Sequence, residues 1–279
     1  MKTRIMSALI GLVILAMVLT FFHTVVLNIA VAIISLIAVY ELFHATGVSK
    51  NKLMSIVCYA VTVIIPFLDR ATTVKYISSY FLPFVGVLFI ILLFTHHISG
   101  VEHLAMAVLF TLAIPFSLCS AIYLRDIYGV VGGIFYICLA LGGGWLSDSG
   151  AYFVGIKFGK KPLAPKISPK KTVEGAIGGI VCCTLGYLII SYLYYKGCQS
   201  AGLVVTINYL FVLLLAPIAS VLSIAGDLSA SIIKREYNVK DFGNIMPGHG
   251  GVMDRFDSVL FVFPLVYLLA TRAPILVFG

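Results

Sequence analysis

The sequence is poor in charge. Only 11% of its 279 residues are Asp, Glu, Lys or Arg, against a hydrophobic share of 61% and a mean hydropathy of +1.10. Soluble globular domains carry roughly 25% charged residues, so this chain cannot cover a water-facing surface. It also lacks the alternating strands, each about ten residues long, of a membrane β-barrel, and shows long continuous apolar runs instead. Backbone groups in lipid must be satisfied within their own segment, which excludes open sheets and leaves helices. Acidic residues are the scarcer sign: 11, against 19 Lys and Arg, for a net charge of +8. On a soluble protein that excess would suggest nucleic acid. On a membrane protein it reads as the positive-inside bias, and no nucleic-acid partner is expected. No CxxC occurs, and the six cysteines (Cys58, Cys119, Cys138, Cys182, Cys183 and Cys198) lie mostly in apolar segments. They read as small packing residues, which argues against a disulfide framework or a zinc site. No internal repeat with a period of about 20–50 residues is present, and no segment has the composition of a disordered one.

What the chain does have is membrane spans. It opens on MKTR and an apolar run with no small-residue cleavage site after it, so an uncleaved first span is expected. Windows of about 20 residues place nine spans near 4–22, 25–44, 53–69, 77–95, 103–123, 129–147, 173–195, 204–225 and 256–277. The expected fold is therefore an all-α polytopic membrane protein. With the N-terminus in the cytoplasm, 14 of the 19 basic residues fall on the inner side, leaving Arg70, Lys75, Arg125, Lys196 and Arg272 outside. That asymmetry sets the orientation as N-in, C-out. The chain reads as one membrane domain. Residues 1–140 are scaffold spans with short loops. Residues 141–265 form a cytoplasm-facing chemical half, and 256–277 is the last span. Seven of the 11 acidic residues fall between Asp148 and Asp257.

The chemistry-bearing residues collect in two polar segments, about 148–172 and 226–255. Asp148 stands where the sixth span ends, a depth at which a carboxylate is costly unless paired or bound to a cation. Six lysines follow, from Lys157 to Lys171. A solvated loop facing anionic headgroups accounts for most of them. Lys170 and Lys171 differ, because they precede the start of the seventh helix, whose free N–H groups already attract anions. The small residues of GAIGG, Gly175 to Gly179, favour close helix packing against a neighbour that carries acidic residues. If the eighth helix continues past the membrane, Asp227, Ser231 and Lys234 stand at i, i+4 and i+7 on one face. In MPGHGGVMDRFD, Pro247 and the glycines preclude a regular helix. Gly250 and Gly251, beside His249, let backbone N–H groups approach an anion. Asp254 and Asp257 are three apart at the start of the last span, and Arg255 can pair with only one of them. HHISGVEH (His96, His97, His103) lacks metal-site spacing and reads as an interfacial loop. Asp148, Lys171, Asp227 and Asp254 come from four segments that all emerge on one membrane face. Carboxylates there suit a hard cation such as Mg²⁺, which bridges substrate phosphates and can be joined by a second cation. Lysines and a glycine loop neutralise the remaining charge of a polyphosphate.

The stretch SIIKREYNVKDFGNIMPGHGGVMDRFDS resembles the signature of phosphatidate cytidylyltransferases, also called CDP-diacylglycerol synthases. The elements are Ser231, Lys234-Arg235, Lys240-Asp241, Pro247 to Gly251, Asp254-Arg255 and Asp257. SDSGAYFVGIKFGKKPLAPKISPKKTVEG and GDLSAS are also similar to that family, with Ser149 and Val173 as departures at positions that carry no chemistry. The likeness is close over about residues 140–265. It implies the reaction of CTP with phosphatidic acid to give CDP-diacylglycerol and pyrophosphate. It implies Asp227 and Asp254 as leading metal ligands, assisted by Asp148 and Asp257. Ser231, Lys170, Lys171, Lys234, Arg235, Lys240 and Arg255 are implied to bind phosphates or stabilise charge, and His249, Gly250 and Gly251 to shape the nucleotide pocket. A bacterial inner-membrane location with the site facing the cytoplasm follows, and a two-fold homodimer is the default for a symmetric oligomer. Two rivals are a CTP-dependent lipid kinase, which would release CDP, and a transporter with Asp148 and Asp227 as ion sites. Transporters place such sites near the bilayer midplane and show repeats, and neither feature is found here.

Overall fold

The computed structural model describes residues 2–246, 248, 250–273 and 275–278. The protein is an all-α membrane protein with four short strands. Its helices are α1 (Lys2–Thr20), α2 (Val26–Thr46), α3 (Lys52–Ile64), α4 (Arg70–Thr95), α5 (Val101–Phe158), α6 (Val173–Ser200), α7 (Tyr209–Glu236), the single turn α8 (Met253–Phe256) and α9 (Val259–Arg272). Among the described residues, α2, α5, α6 and α7 are each long and apolar enough to cross a membrane. The apolar segments Lys52–Phe67, Ser79–Thr95 and Val259–Arg272 are shorter.

The chain forms two compact units. The first is Met1–Tyr123 with Tyr237–Asp254, and the second is Leu124–Glu236 with Arg255–Gly279. In the first unit, α2 ends on Gly47 at φ 80°, a left-handed position that glycine takes without penalty. Asn51 then starts α3: its side chain accepts from the Met54 N–H at 3.2 Å and donates to Thr95 Oγ1 at 2.7 Å. Leu42, Phe43 and Met54 are fully buried in the core that α2 and α3 share.

Two of the expected spans, 103–123 and 129–147, belong to the single element α5. It is broken at Gly129, where φ 66° and ψ −167° lie outside helical space. The helix also does not stop near residue 147 but runs on to Phe158. The change from apolar to polar residues marks where lipid ends. A helix carries its own backbone hydrogen bonds and has no reason to end there.

In the second unit small residues set the packing. A Cβ at Gly178 would overlap Val154, and one at Gly150 would overlap Cys182, so α6 lies against the later part of α5 at near-backbone contact. The link between them is an antiparallel pair, β1 (Pro162–Ala164) with β2 (Ser168–Thr172). Glu174 fastens its base by accepting from the Lys160 and Lys161 N–H groups at 2.9 and 3.1 Å. Thr172 caps α6 by accepting from the Gly175 N–H at 3.1 Å. A second antiparallel pair, β3 (Val205–Ile207) with β4 (Leu276–Phe278), joins the far ends of the unit.

Candidate active site

Three carboxylates of the second unit gather beside two lysines. Asp148, on α5, accepts from Ser223 Oγ of α7 at 3.3 Å and from Ser258 Oγ at 2.9 Å. Asp227, four residues after Ser223 on α7, forms an ion pair with Lys171 at the end of β2. Asp257 lies in the turn before α9, where its Oδ1 accepts from the Ser258 N–H at 2.7 Å. Gly226 explains how Asp227 and Asp257 come close: a Cβ there would strike the Asp257 carbonyl oxygen, so α7 rests directly on that turn. Asp257 is only 6% exposed. Burial, together with the negative charges of Asp227 and Asp148, pushes its carboxyl up to about 7, against the pull of the Ser258 N–H and the Lys234 charge. Carboxylates this close disfavour one another's charged forms.

The face expected on α7 exists. The helix runs unbroken through Asp227, Ser231 and Lys234, and Ser231 is buried at 8% exposure. Arg235 is turned elsewhere, its Nε donating to the Ile167 carbonyl of the β1–β2 link at 3.2 Å. Lys170 and Arg255 are exposed. Among the described residues no three His, Cys, Asp or Glu side chains form a ready-made metal cage.

The rest of the signature belongs to the first unit. Asp254 Oδ2 accepts from the Phe242 N–H at 2.9 Å and the Gly251 N–H at 3.0 Å, closing the loop between them. The Met246 N–H donates to the Gly250 carbonyl at 3.0 Å. Gly248 and Gly250 have φ of 79° and 87°, the left-handed region that glycine alone takes freely. Lys240 is exposed on this loop. His249 and Pro247 lie outside the described residues.

Sequence reasoning missed three residues. Ser223 extends the α7 face one turn back from Asp227, and the same i, i+4 spacing would have found it. Ser258 follows Asp257 directly. Glu41 lies far away in sequence, and its signal was a lone acid inside an apolar span. It is 2% exposed, accepting from the Val252 and Met253 N–H groups at 3.0 and 2.8 Å.

The chain matches the profile of the cytidylyltransferase family over residues 2–272 and belongs to that family. A phosphatidate cytidylyltransferase of Bacillus subtilis is 48% identical over 144 residues, covering 52% of this chain and 49% of that protein. One from Staphylococcus haemolyticus is 42% identical over 137 residues, 49% of either chain. One from Thermotoga maritima is 40% identical over 131 residues, 47% of either chain. The chain thus spans about half the length of these curated relatives.

Proposed function

We propose that the protein is a phosphatidate cytidylyltransferase, joining CTP to phosphatidic acid to form CDP-diacylglycerol and pyrophosphate. The observation that carries this reading is the cluster of Asp148, Asp227 and Asp257 with Lys171 and Lys234. Both substrates are anions, and their repulsion is the main obstacle to reaction. A lipid phosphate oxygen attacks the α-phosphorus of CTP. As that bond forms, the bond from the α-phosphorus to the oxygen bridging to the β-phosphorus breaks, and pyrophosphate leaves with the electron pair. A phosphate monoester is already anionic near neutral pH, so positioning and charge neutralisation supply the catalysis and no strong base is required.

In this reading Asp148 and Asp227 hold the cation with Asp257 close behind them, Lys171 and Lys234 offset phosphate charge, and Ser231 donates to a phosphate oxygen. Mg²⁺ is the proposed cofactor, and when bound it would withdraw charge from the phosphate oxygens it touches. Lys170 and Arg255 meet phosphates at the exposed rim, and a phosphate role for Arg235 rests on the signature alone. Lys240, His249, Gly250 and Gly251 are proposed to receive the nucleotide's phosphates, and the ligand role of Asp254 rests on the signature alone. We further propose nine spans with the N-terminus inside, in a bacterial inner membrane, with chemistry at the cytoplasmic face. CTP then arrives from the cytoplasm and phosphatidic acid from the inner leaflet. A homodimer is the proposed assembly.

The test is the purified protein given radiolabelled CTP and phosphatidic acid, with and without Mg²⁺. CDP-diacylglycerol and pyrophosphate are expected, whereas release of CDP would indicate a kinase and overturn the reading. Asp227→Asn should lower turnover by about 10³-fold or more while the protein still purifies as a folded species. Near-normal turnover would remove Asp227 from the site.

A further inference from the structure

Glu41 is the sole acidic residue of α2, a helix otherwise apolar enough to cross a membrane. A buried carboxylate is costly unless hydrogen bonds replace its water. Here the replacement comes from the signature loop. Oε1 accepts from the Val252 N–H and Oε2 from the Met253 N–H, at 3.0 and 2.8 Å. Two glycines of the same loop make room for it, since a Cβ at Gly243 or at Gly251 would overlap the Glu41 carboxyl. The carboxyl is thus enclosed by four loop positions, two that donate hydrogen bonds and two that must lack a side chain.

We propose that Glu41 is the positioning residue of the signature loop, fixing Gly243, Gly251, Val252 and Met253 to a membrane helix so that the loop is pre-set for a triphosphate. Asp254 closes the loop on itself through Phe242 and Gly251. Glu41 adds what that internal closure lacks, a fixed attachment. Between these anchored ends the loop meets water: Asn244, Ile245 and Gly248 are exposed, whereas Gly251, Val252 and Met253 are buried. Ordering such a segment on binding costs free energy that a pre-set loop avoids. Glu41 therefore acts on CTP affinity and not on the bond-making step. This inference rests on the proposed cytidylyl transfer.

The experiment compares the full-length protein with Glu41→Gln. The amide keeps the shape, but its NH₂ end faces a backbone N–H and one charge-assisted bond is lost. The KM for CTP should rise about tenfold, with the KM for phosphatidic acid and kcat changed less than about threefold. Hydrogen exchange of the Gly250–Met253 amides should quicken while that of α6 stays as in the wild type. A residue needed only for folding would instead lower kcat through loss of folded protein and leave both KM values alone, and that result overturns the proposal. Unchanged amide exchange overturns it too. A second variant guards against misfolding: Gly243→Ala should weaken CTP binding in the wild type but be tolerated beside Glu41→Ala, where the overlapping carboxyl is gone. If the Gly243→Ala effect is the same in both backgrounds, the two positions are independent and the proposal fails. Absence of CDP-diacylglycerol synthesis by the wild type would sink the functional reading instead, while the exchange measurement still decides whether Glu41 holds the loop.

Discussion

Lys171→Met removes the cation that faces Asp227, and it should change two quantities in opposite directions. The two side chains are 25% and 28% exposed, so neither bulk water nor a dry interior describes the pair. Two unit charges about 4 Å apart at an effective dielectric near 20 attract by about 4 kcal/mol. Partial exposure lowers that to about 1–2 kcal/mol. A divalent ion reaching Asp227 must compete with Lys171 for the same oxygen. Without the lysine, substrate-free Mg²⁺ binding should tighten about tenfold, the equivalent of about 1.4 kcal/mol. Turnover should nonetheless fall about 10²-fold or more, because a positive charge aimed at the reacting phosphates is lost. Titration calorimetry with Mg²⁺ gives the first quantity, and initial rates with saturating CTP and phosphatidic acid give the second. Lys166→Met, on the exposed β1–β2 link, serves as a control and should leave both unchanged. Mg²⁺ binding that stays the same or weakens would refute the reasoning, because Lys171 would then not share the cation's oxygen. Retained turnover would show that its charge has no part in the reaction.

Two further outcomes follow from the same geometry. Gly178→Val places branched methyls into Val154 at the α5–α6 crossing. Overpacking of about 1–3 kcal/mol is expected, seen as a lower thermal midpoint in detergent, with turnover falling as Lys171 and Asp148 are drawn apart. An unchanged midpoint would mean the helices are not in that close contact. For Asp257, the carboxyl raised to about 7 predicts Mg²⁺ affinity that climbs with pH up to about 7 and then levels, because a ligand must lose its proton to bind. In metal-free protein the folded state holds that proton more tightly than the unfolded chain does. The resulting stability is complete below the ordinary carboxylate range and is lost as pH rises through about 7. Asp257→Asn should flatten both profiles, and a slope that survives the substitution would assign the titration to another group.

Much of the second unit was legible because its logic is local. The spacing of Asp227, Ser231 and Lys234 needs only an unbroken helix, and α7 is one. GAIGG announces a tight crossing wherever it occurs in an apolar helix, and Gly178 against Val154 is that crossing. What was not legible is where polarity and backbone order part company. Lys-rich, Pro-containing residues 162–172 read as a loop, yet they form a strand pair whose base Glu174 braces from outside the segment. The end of the sixth span marks only the edge of the lipid, and the backbone of α5 has no cause to stop there.

Glu41 shows a different kind of blindness. Charge counts assign a lone acid in an apolar run to a span and move on, because its meaning depends on partners about two hundred residues away. The physical clue was nevertheless present. A carboxylate inside a membrane segment must find donors, and donors without counter-charge are most readily backbone N–H groups freed where a loop enters a helix. The sequence contains one such place rich in glycine, Gly248 to Gly251, immediately before α8. Pairing the lone acid with these glycines points to the contact from sequence. It also accounts for the lack of a side chain at Gly243 and Gly251, because a carboxyl group occupies the space one would need.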